Sequence, residues 1–398
     1  MPPRGGVAAC GTDDVTAALP GGRLVAEEGG EEGFSMTSDV SEIGSNAATL
    51  ARSQARSDKV ETDLAVHPEK WRILTGDRPT GSLHIGHYFG SLANRVRLQD
   101  EGIESFLVIA DYQVIYDRDG VGELQANVMS NIADYLAIGI DPVRTTIFTH
   151  SALPALNQLL LPFLSLVTDA ELRRNPTVKD ELATSDRPMS GLMLTFPVHQ
   201  AADILFCKAN LVPVGRDQLP HIEQTRVIAR RFDERYGRAD ASEPVFPEPE
   251  ALLSATPHVL GLDGTKMSKS KGNTIEIGMT ADQTAKLIKK AKTDAERHIT
   301  WDPENRPEVS NLLLLTALCE NDDPAAIAEE IGDGGSGTLK KRLTASLNDY
   351  FAPIRERRAE LAADEGHLRE VLREGNERAN AVADQTLAEV RTAMRMVY

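Results

Sequence analysis

The stretch Ser105-Phe106-Leu107-Val108-Ile109-Ala110 constrains this chain most: it runs without a charge and ends at Asp111. Such a run is apolar on both alternating faces and has no side to turn to water. It suits a parallel strand covered by helices above and below. Arg72-Ile73-Leu74-Thr75 reads as a second short buried strand, and Arg144 to Thr149 as a third. Helical stretches fall between them, from about His84 to Gln99 and over 121–138. This β–α–β–α–β alternation predicts a doubly wound α/β sheet. Beyond residue 280 the strand signal disappears. Leu339, Leu343, Leu347, Tyr350 and Ile354 recur at helical spacing, and Leu368, Val371, Leu372, Ala379, Val382 and Val390 continue the pattern. The tail reads as a helical bundle, with Gly332 to Gly337 as a flexible break.

A length of 398 residues suits two or three domains. Residues 1–68 read as a disordered acidic extension, rich in Gly, Ala, Ser, Asp and Glu and poor in apolar periodicity. Residues 69–279 then form the sheet domain and 280–398 the helical one. Residues 1–69 carry 12 acidic and 5 basic side chains, so −7 of the net −17 sits there. The overall charge argues against a generic nucleic-acid coat, though not against a local basic patch that grips RNA. Cys10, Cys207 and Cys319 form no CxxC pair, so neither a disulfide framework nor a structural zinc site is expected, and a reducing cytoplasm fits. Residues 1–20 lack the apolar core of a signal peptide. The longest apolar run, Leu156 to Val167, is too interrupted to span a bilayer, so no membrane partner is expected.

Two constellations carry chemistry. The first is Gly76-Asp77-Arg78-Pro79-Thr80-Gly81, followed by His84-Ile85-Gly86-His87, at a strand-to-helix junction. An open sheet binds nucleotides beyond such strand ends. His84 and His87, three apart, share one side of a helix. Gly86 lets a flat ring approach the backbone, and helix N-terminal amides favour phosphate. By itself the segment also reads as a turn with two ordinary histidines. The second is Lys266-Met267-Ser268-Lys269-Ser270, preceded by Gly261 and Gly264, which predict a mobile loop. Its lysines can reach a triphosphate and stabilise charge that develops on it. Alone, this too is only a solvated basic loop.

In this order and spacing the two resemble the signature motifs of class I aminoacyl-tRNA synthetases. Further segments narrow the resemblance to the tryptophanyl-tRNA synthetase family. Pro79 to Gly90 resembles that family's first signature. Phe196-Pro197-Val198-His199-Gln200-Ala201-Ala202-Asp203-Ile204-Leu205 is similar to its tryptophan-binding segment. Val212 to Gln218, then His221-Ile222-Glu223, resembles its next stretch, and Pro307 to Leu313 part of its helical domain. The resemblance covers roughly Arg72 to the C-terminus. It implies a Rossmann-type doubly wound parallel sheet as catalytic domain, with a C-terminal α-helical domain that binds the tRNA anticodon. It implies ATP with Mg2+, L-tryptophan and tRNA(Trp) as partners, an aminoacyl-adenylate intermediate, a homodimer and a cytoplasmic location. Asp203 would accept the indole N–H and Gln218 would hold the amino-acid end. Gln113, Gln200, Phe196, Val212 and Val214 would line the same pocket. Arg78, Pro79, Thr80, Gly86, His87, Gly215, Arg216, Asp217 and the Lys266, Met267, Ser268, Lys269, Ser270 loop would contact ATP, with Val259 near the adenine. His84, His87, Lys266 and Lys269 would be the catalytic set. The bland reading of Asp203 is a helix-capping carboxylate.

Two positions depart from the family. Many bacterial members have His where this chain has Gln113, and Met where it has Gln200. Gln200 resembles the archaeal-type tyrosyl-tRNA synthetases, which makes tyrosine the alternative substrate. Those enzymes, however, carry a tyrosine where Leu74 and Thr75 stand here. A non-catalytic paralogue would be expected to lose the signature lysines or histidines, and all are present. A nucleotidyltransferase of the same superfold would share the His-x-Gly-His turn without the tryptophan-pocket segments.

Overall fold

The computed structural model describes residues 47–115, 122–184, 188–237, 243–253 and 259–398. Five parallel strands form one sheet, β1 (Arg72–Asp77), β2 (Glu104–Ile109), β3 (Thr145–Thr149), β4 (Leu211–Val214) and β5 (Glu250–Leu253), in the order β3-β2-β1-β4-β5. The central run behaves as its composition predicts: Phe106 to Ile109 are all buried, with Leu74 registered against Phe106 and Ile109 against Thr149. The chain builds outward from β1 through β2 to β3, then returns to the other side of β1 with β4. The order therefore reverses between β1 and β4, where doubly wound sheets open a crevice at their strand ends.

The helices that matter below are α1 (Ala47–Leu64), α2 (Ala93–Asp100), α3 (Leu124–Ala137), α4 (Gly191–Leu205), α5 (Leu219–Tyr236), α6 (Ala281–Lys290), α7 (Pro307–Glu320), α8 (Gly335–Ala363) and α9 (Glu365–Ala393). The helix expected from His84 forms over residues 85–100, with a π-helical turn inside it. Ile85–His87 form one turn, Tyr88–Leu92 a π-helical segment, and α2 follows.

The expected disordered extension differs from what forms. Its first 46 residues lie outside the described ones, but α1 is a packed helix. Val60 and Leu64 are buried with Ile73, Leu98, Ile103, Leu211 and Leu252. Ser57 Oγ accepts a hydrogen bond from the backbone N–H of Leu253 at 2.9 Å, and Trp71 Nε1 donates to Asp63 at 3.1 Å. Burying Val60 and Leu64 contributes about 1.5–3 kcal/mol each. The physical reason for the difference is sparseness: the side chains that the helix buries are Ser57, Val60 and Leu64 among the described residues, spaced three and four apart among mostly polar neighbours.

α9 does at β3 what α1 does at β5. Asn376 Oδ1 accepts from the backbone N–H of Thr149 at 3.1 Å. Gly375 lies so close to β3 that a β-carbon there would stand 1.8 Å from the Ile147 carbonyl oxygen. Both edge strands are thereby covered.

The helical region is fused to the catalytic layer. Leu339, Leu343, Leu347 and Phe351 of α8 share one core with Leu83, Ile85, Tyr88 and Phe89. Tyr88 and Tyr350 hydroxyls lie 3.0 Å apart. The glycine-rich break is shorter than expected, because α8 already begins at Gly335. Gly332 and Gly335, at φ +46° and +75°, make the turn. Among the described residues no helix is long and apolar enough to cross a membrane.

Candidate active site

A cleft of about 840 Å³ opens between the ends of β1 and β4. Leu74 to Asp77 and Val212 to Val214 form its floor, so the reversal of strand order creates it. One end is built from backbone and loops, the other from helix side chains.

At the first end stands the turn that joins β1 to the His84 segment. Asp77 closes β1 and is tied to Arg95 of α2 and to the Tyr135 hydroxyl of α3, the latter at 2.7 Å. Burial alone would raise its carboxyl, but the Arg95 guanidinium outweighs this and holds it below the usual range. The next turn carries two stacked imidazoles, His84 and His87, with ring centres 3.6 Å apart. The backbone N–H of His84 donates to His87 Nδ1 at 3.2 Å, and that of His87 donates to His84 Nδ1 at 3.3 Å. Both Nδ1 atoms accept, so the rings keep their hydrogens on Nε2. Burial, then the charge of His87 and Lys269, pushes His84 down to about 3, and burial lowers His87 as well. Both are neutral at physiological pH.

The second signature is folded onto the first. Leu83 and Ile85 exchange backbone hydrogen bonds with Ile277 and Ile275, just past the lysine loop. A β-carbon on Gly86 would come within 2.9 Å of Met267 Sδ, and one on Gly81 within 2.6 Å of Lys269 Nζ. Gly81 sits at φ +134°, a backbone conformation that favours glycine, whereas the lysine tip beside it could move aside. The loop expected to be mobile is held in this conformation. Ser268 N–H donates to Asn273 Oδ1 at 2.8 Å, and Asn273 Nδ2 donates to Asp263 Oδ1 at 2.8 Å.

At the other end, Asp203 of α4 is buried with one carboxylate oxygen 3.0 Å from His150 Nε2 and 3.9 Å from His199 Nδ1. Burial pushes its carboxyl up, but His150 and His199 outweigh that and leave it below the usual range. His221 of α5, pushed down to about 4 by burial, packs its ring 5.4 Å from that of Phe196.

The cleft brings together most of the sequence-predicted residues. Arg78, Thr80, Gly86, His87, Gly215, Asp217, Lys266 and Lys269 line it. So do Gln113, Phe196, Gln200, Asp203, Val212, Val214 and Gln218. His84 does not. It stands behind His87 and caps the following turn. Pro79, Arg216 and Ser268 are off the wall, while Val259 and Met267 are buried in the core. The side chain of Ser270 lies outside the described residues. Sequence reasoning named Asp77 and His221 inside their motifs without giving them a role, and missed Arg95 and His150. For Asp77 and His150 there was a signal: one ends β1 and the other follows β3, where open sheets place functional groups.

Comparison with known proteins agrees with this geometry. Residues 67–352 match the family profile of tRNA synthetases class I (W and Y). The tryptophan–tRNA ligase of Streptococcus pyogenes is 43% identical over 338 residues, covering 82% of this chain and 98% of the relative. That of Clostridium longisporum is 41% identical over 334 residues, with 82% and 97% covered. Among solved structures, the tryptophanyl-tRNA synthetase of Campylobacter jejuni complexed with ADP and tryptophan superposes with a TM-score of 0.70 at 31% identity, over 81% of this chain and 99% of that one. The tyrosyl-tRNA synthetase of Archaeoglobus fulgidus, at 22% identity and a TM-score of 0.60, shares the fold. The chain thus belongs to the class I tRNA synthetases of the tryptophan and tyrosine group, and within that group to the tryptophanyl-tRNA synthetases.

Proposed function

We propose that this ligase activates L-tryptophan with ATP at the end of the cleft between β1 and β4 and then transfers it to tRNA(Trp), with roles divided between the two ends. One observation carries the reading: both signature segments and the residues of the tryptophan-like segment face a single cleft. The tryptophan carboxylate attacks the α-phosphate of ATP, forming tryptophanyl-adenylate and releasing pyrophosphate. A terminal ribose hydroxyl of the tRNA then attacks the carbonyl, and AMP leaves. No side chain acts as nucleophile in either step, so the enzyme supplies position and charge.

Arg78, Gly86, His87, Gly215 and Asp217 hold the nucleotide. Lys266 and Lys269 face the departing pyrophosphate, where charge accumulates. The neutral His87 contributes an N–H without adding charge. His84, lying behind it, acts by positioning the turn. Asp203 accepts the indole N–H, the only donor that ring has, and Gln218 holds the amino-acid end. Phe196, Val212 and Val214 give the apolar walls, with Gln113 and Gln200 as polar additions.

Magnesium bound with ATP would supply charge neutralisation on its phosphates. It takes most of its ligands from phosphate and water. The residues present fit that role: Asp77 is engaged by Arg95, and Asp217 lines the cleft, where its carboxylate, accepting from the Gln218 amide at 2.8 Å, would hold an outer water of the ion. The helical region from residue 280 on takes the anticodon arm. The enzyme works as a homodimer in the cytoplasm, a reading that rests on the family.

ATP–pyrophosphate exchange with each of the twenty amino acids tests this. Exchange with tryptophan alone is expected. A site built to hydrogen-bond one substrate group rejects an analogue lacking it by roughly 10⁴–10⁵. Equal exchange with tyrosine would overturn the assignment.

A further inference from the structure

Behind the tryptophan end lies a group of side chains of which the activation chemistry uses only Asp203. His199 Nε2 meets Asn157 Oδ1 at 2.9 Å. The Asn157 amide nitrogen already donates to the His150 and Leu153 carbonyls, at 2.9 and 2.8 Å, so its oxygen can only accept. His199 must therefore carry its hydrogen on Nε2 and turn a bare Nδ1 lone pair toward Asp203. Asp203 is an acceptor too. His150 lies 3.0 Å from it, but out of line for a hydrogen bond. Both ring nitrogens of His150 and Asp203 Oδ1 are buried without an aligned partner among the described residues. The nearby Asp111 is spoken for, accepting from the Ser151 and Tyr112 backbone N–H groups and from the Ser151 hydroxyl. What remains is three converging ligand atoms, one each from His150, His199 and Asp203, all within 4.8 Å of one another. A tetrahedral zinc with bonds of about 2.0–2.1 Å sets neighbouring ligands about 3.3 Å apart. The two separations from Asp203, 3.0 and 3.9 Å, bracket that value, and the third lies within 4.8 Å. The hydrogen bond from His199 to Asn157 is the kind of outer contact that fixes the tautomer of a metal-bound histidine.

We propose that His150, His199 and Asp203 bind one zinc ion, or a divalent cation of the same nitrogen-favouring class, and that this ion and the indole of tryptophan exclude one another. Two histidines and one carboxylate make a borderline-soft ligand set with a fourth position open, unlike an oxygen cage for magnesium. Asp203, one of the three, lines the cleft, so the ion and the indole would share its carboxylate. A second, apolar cavity of about 250 Å³, lined by Asn157, Phe196 and His199, reaches the cluster from the other side. The exclusion rests on reading Asp203 as the indole acceptor, whereas the ion binding does not. Zinc then raises the KM for tryptophan and leaves kcat unchanged.

Cobalt titration of the untagged full chain, chelator-stripped and free of ATP, tests the site. One equivalent should give the strong visible absorption of four-coordinate cobalt, abolished by zinc and indifferent to magnesium. His199→Leu should weaken binding more than about tenfold, and Asn157→Ala by about 10–100-fold. Tryptophan at 100 times its Kd should weaken it about a hundredfold. Weak octahedral absorption, or full affinity in both variants, overturns the site. If cobalt binds as described but tryptophan does not displace it, the exclusion is overturned. The affinity of Asp203→Asn for tryptophan, measured without metal, then shows separately whether Asp203 holds the indole.

Discussion

The two ends of the cleft solve opposite problems with opposite materials. The nucleotide end uses glycine, backbone amides, neutral histidines and lysines carried on a loop. The tryptophan end uses a buried carboxylate, fixed on a helix and surrounded by imidazoles. A triphosphate is large, charged and already solvated, so it needs positive charge that arrives with the reaction. An indole offers one N–H on an apolar ring, so it needs one acceptor in a dry place. The nucleotide end is therefore judged by rate and the tryptophan end by affinity.

Lys269→Ala is the largest test of that division. Loss of a group aimed at transition-state charge is expected to lower kcat for adenylate formation by about 10²–10³, with little change in the KM for tryptophan. Single-turnover kinetics would read both. A rise in KM alone would assign the loop to substrate binding and erase the contrast.

Asp203→Asn probes the other end with a smaller expected effect. A hydrogen bond to a charged group is worth about 1.5–3 kcal/mol, which is roughly 10–100-fold in affinity. Calorimetric titration should show that loss for tryptophan and none for ATP. Weakened ATP binding would mean that the ends are coupled through the sheet.

The smallest effect concerns pH. His84 is held near 3 in the folded enzyme against an ordinary 6.5. Between those values the unfolded chain binds a proton that the folded one refuses, so this group lowers stability as pH falls from 6.5 toward 3. The slope reaches at most one proton, about 1.4 kcal/mol per pH unit. His84→Asn keeps an acceptor for the His87 N–H and removes the titration. Its urea midpoint should fall less steeply with acidification than that of the wild type. Identical slopes would mean that His84 is protonated in the native state.

The same contrast governs what the sequence reveals. Phosphate recognition depends on contiguous backbone, so Gly76 to His87 and Lys266 to Ser270 stand out as words. The tryptophan end is assembled from single residues far apart in the chain. Asp203 is legible only by its resemblance-bearing neighbours, among them His199 one turn before it on α4, whereas His150 and Asn157 meet it only after the segment following β3 has packed against α4. In the fold, β2 is visible because five apolar residues, Phe106 to Ala110, lie in a row. β4 and β5 are four residues each, one holding Pro213, and give no period to count. α1 has too few apolar residues to announce itself, because its partner β5 appears only in three dimensions.

The residues matching the family profile run from 67 to 352. α1 lies wholly before that span and α9 wholly after it. A fragment cut to the recognisable family portion would keep both signatures and the cleft floor, yet bare the Leu253 N–H at one margin and the Thr149 N–H at the other. Two open margins on one parallel sheet are complementary to those of the next copy. Such a fragment is expected to add copies edge to edge, and the helices that belong to no signature are what cover those margins in the full chain.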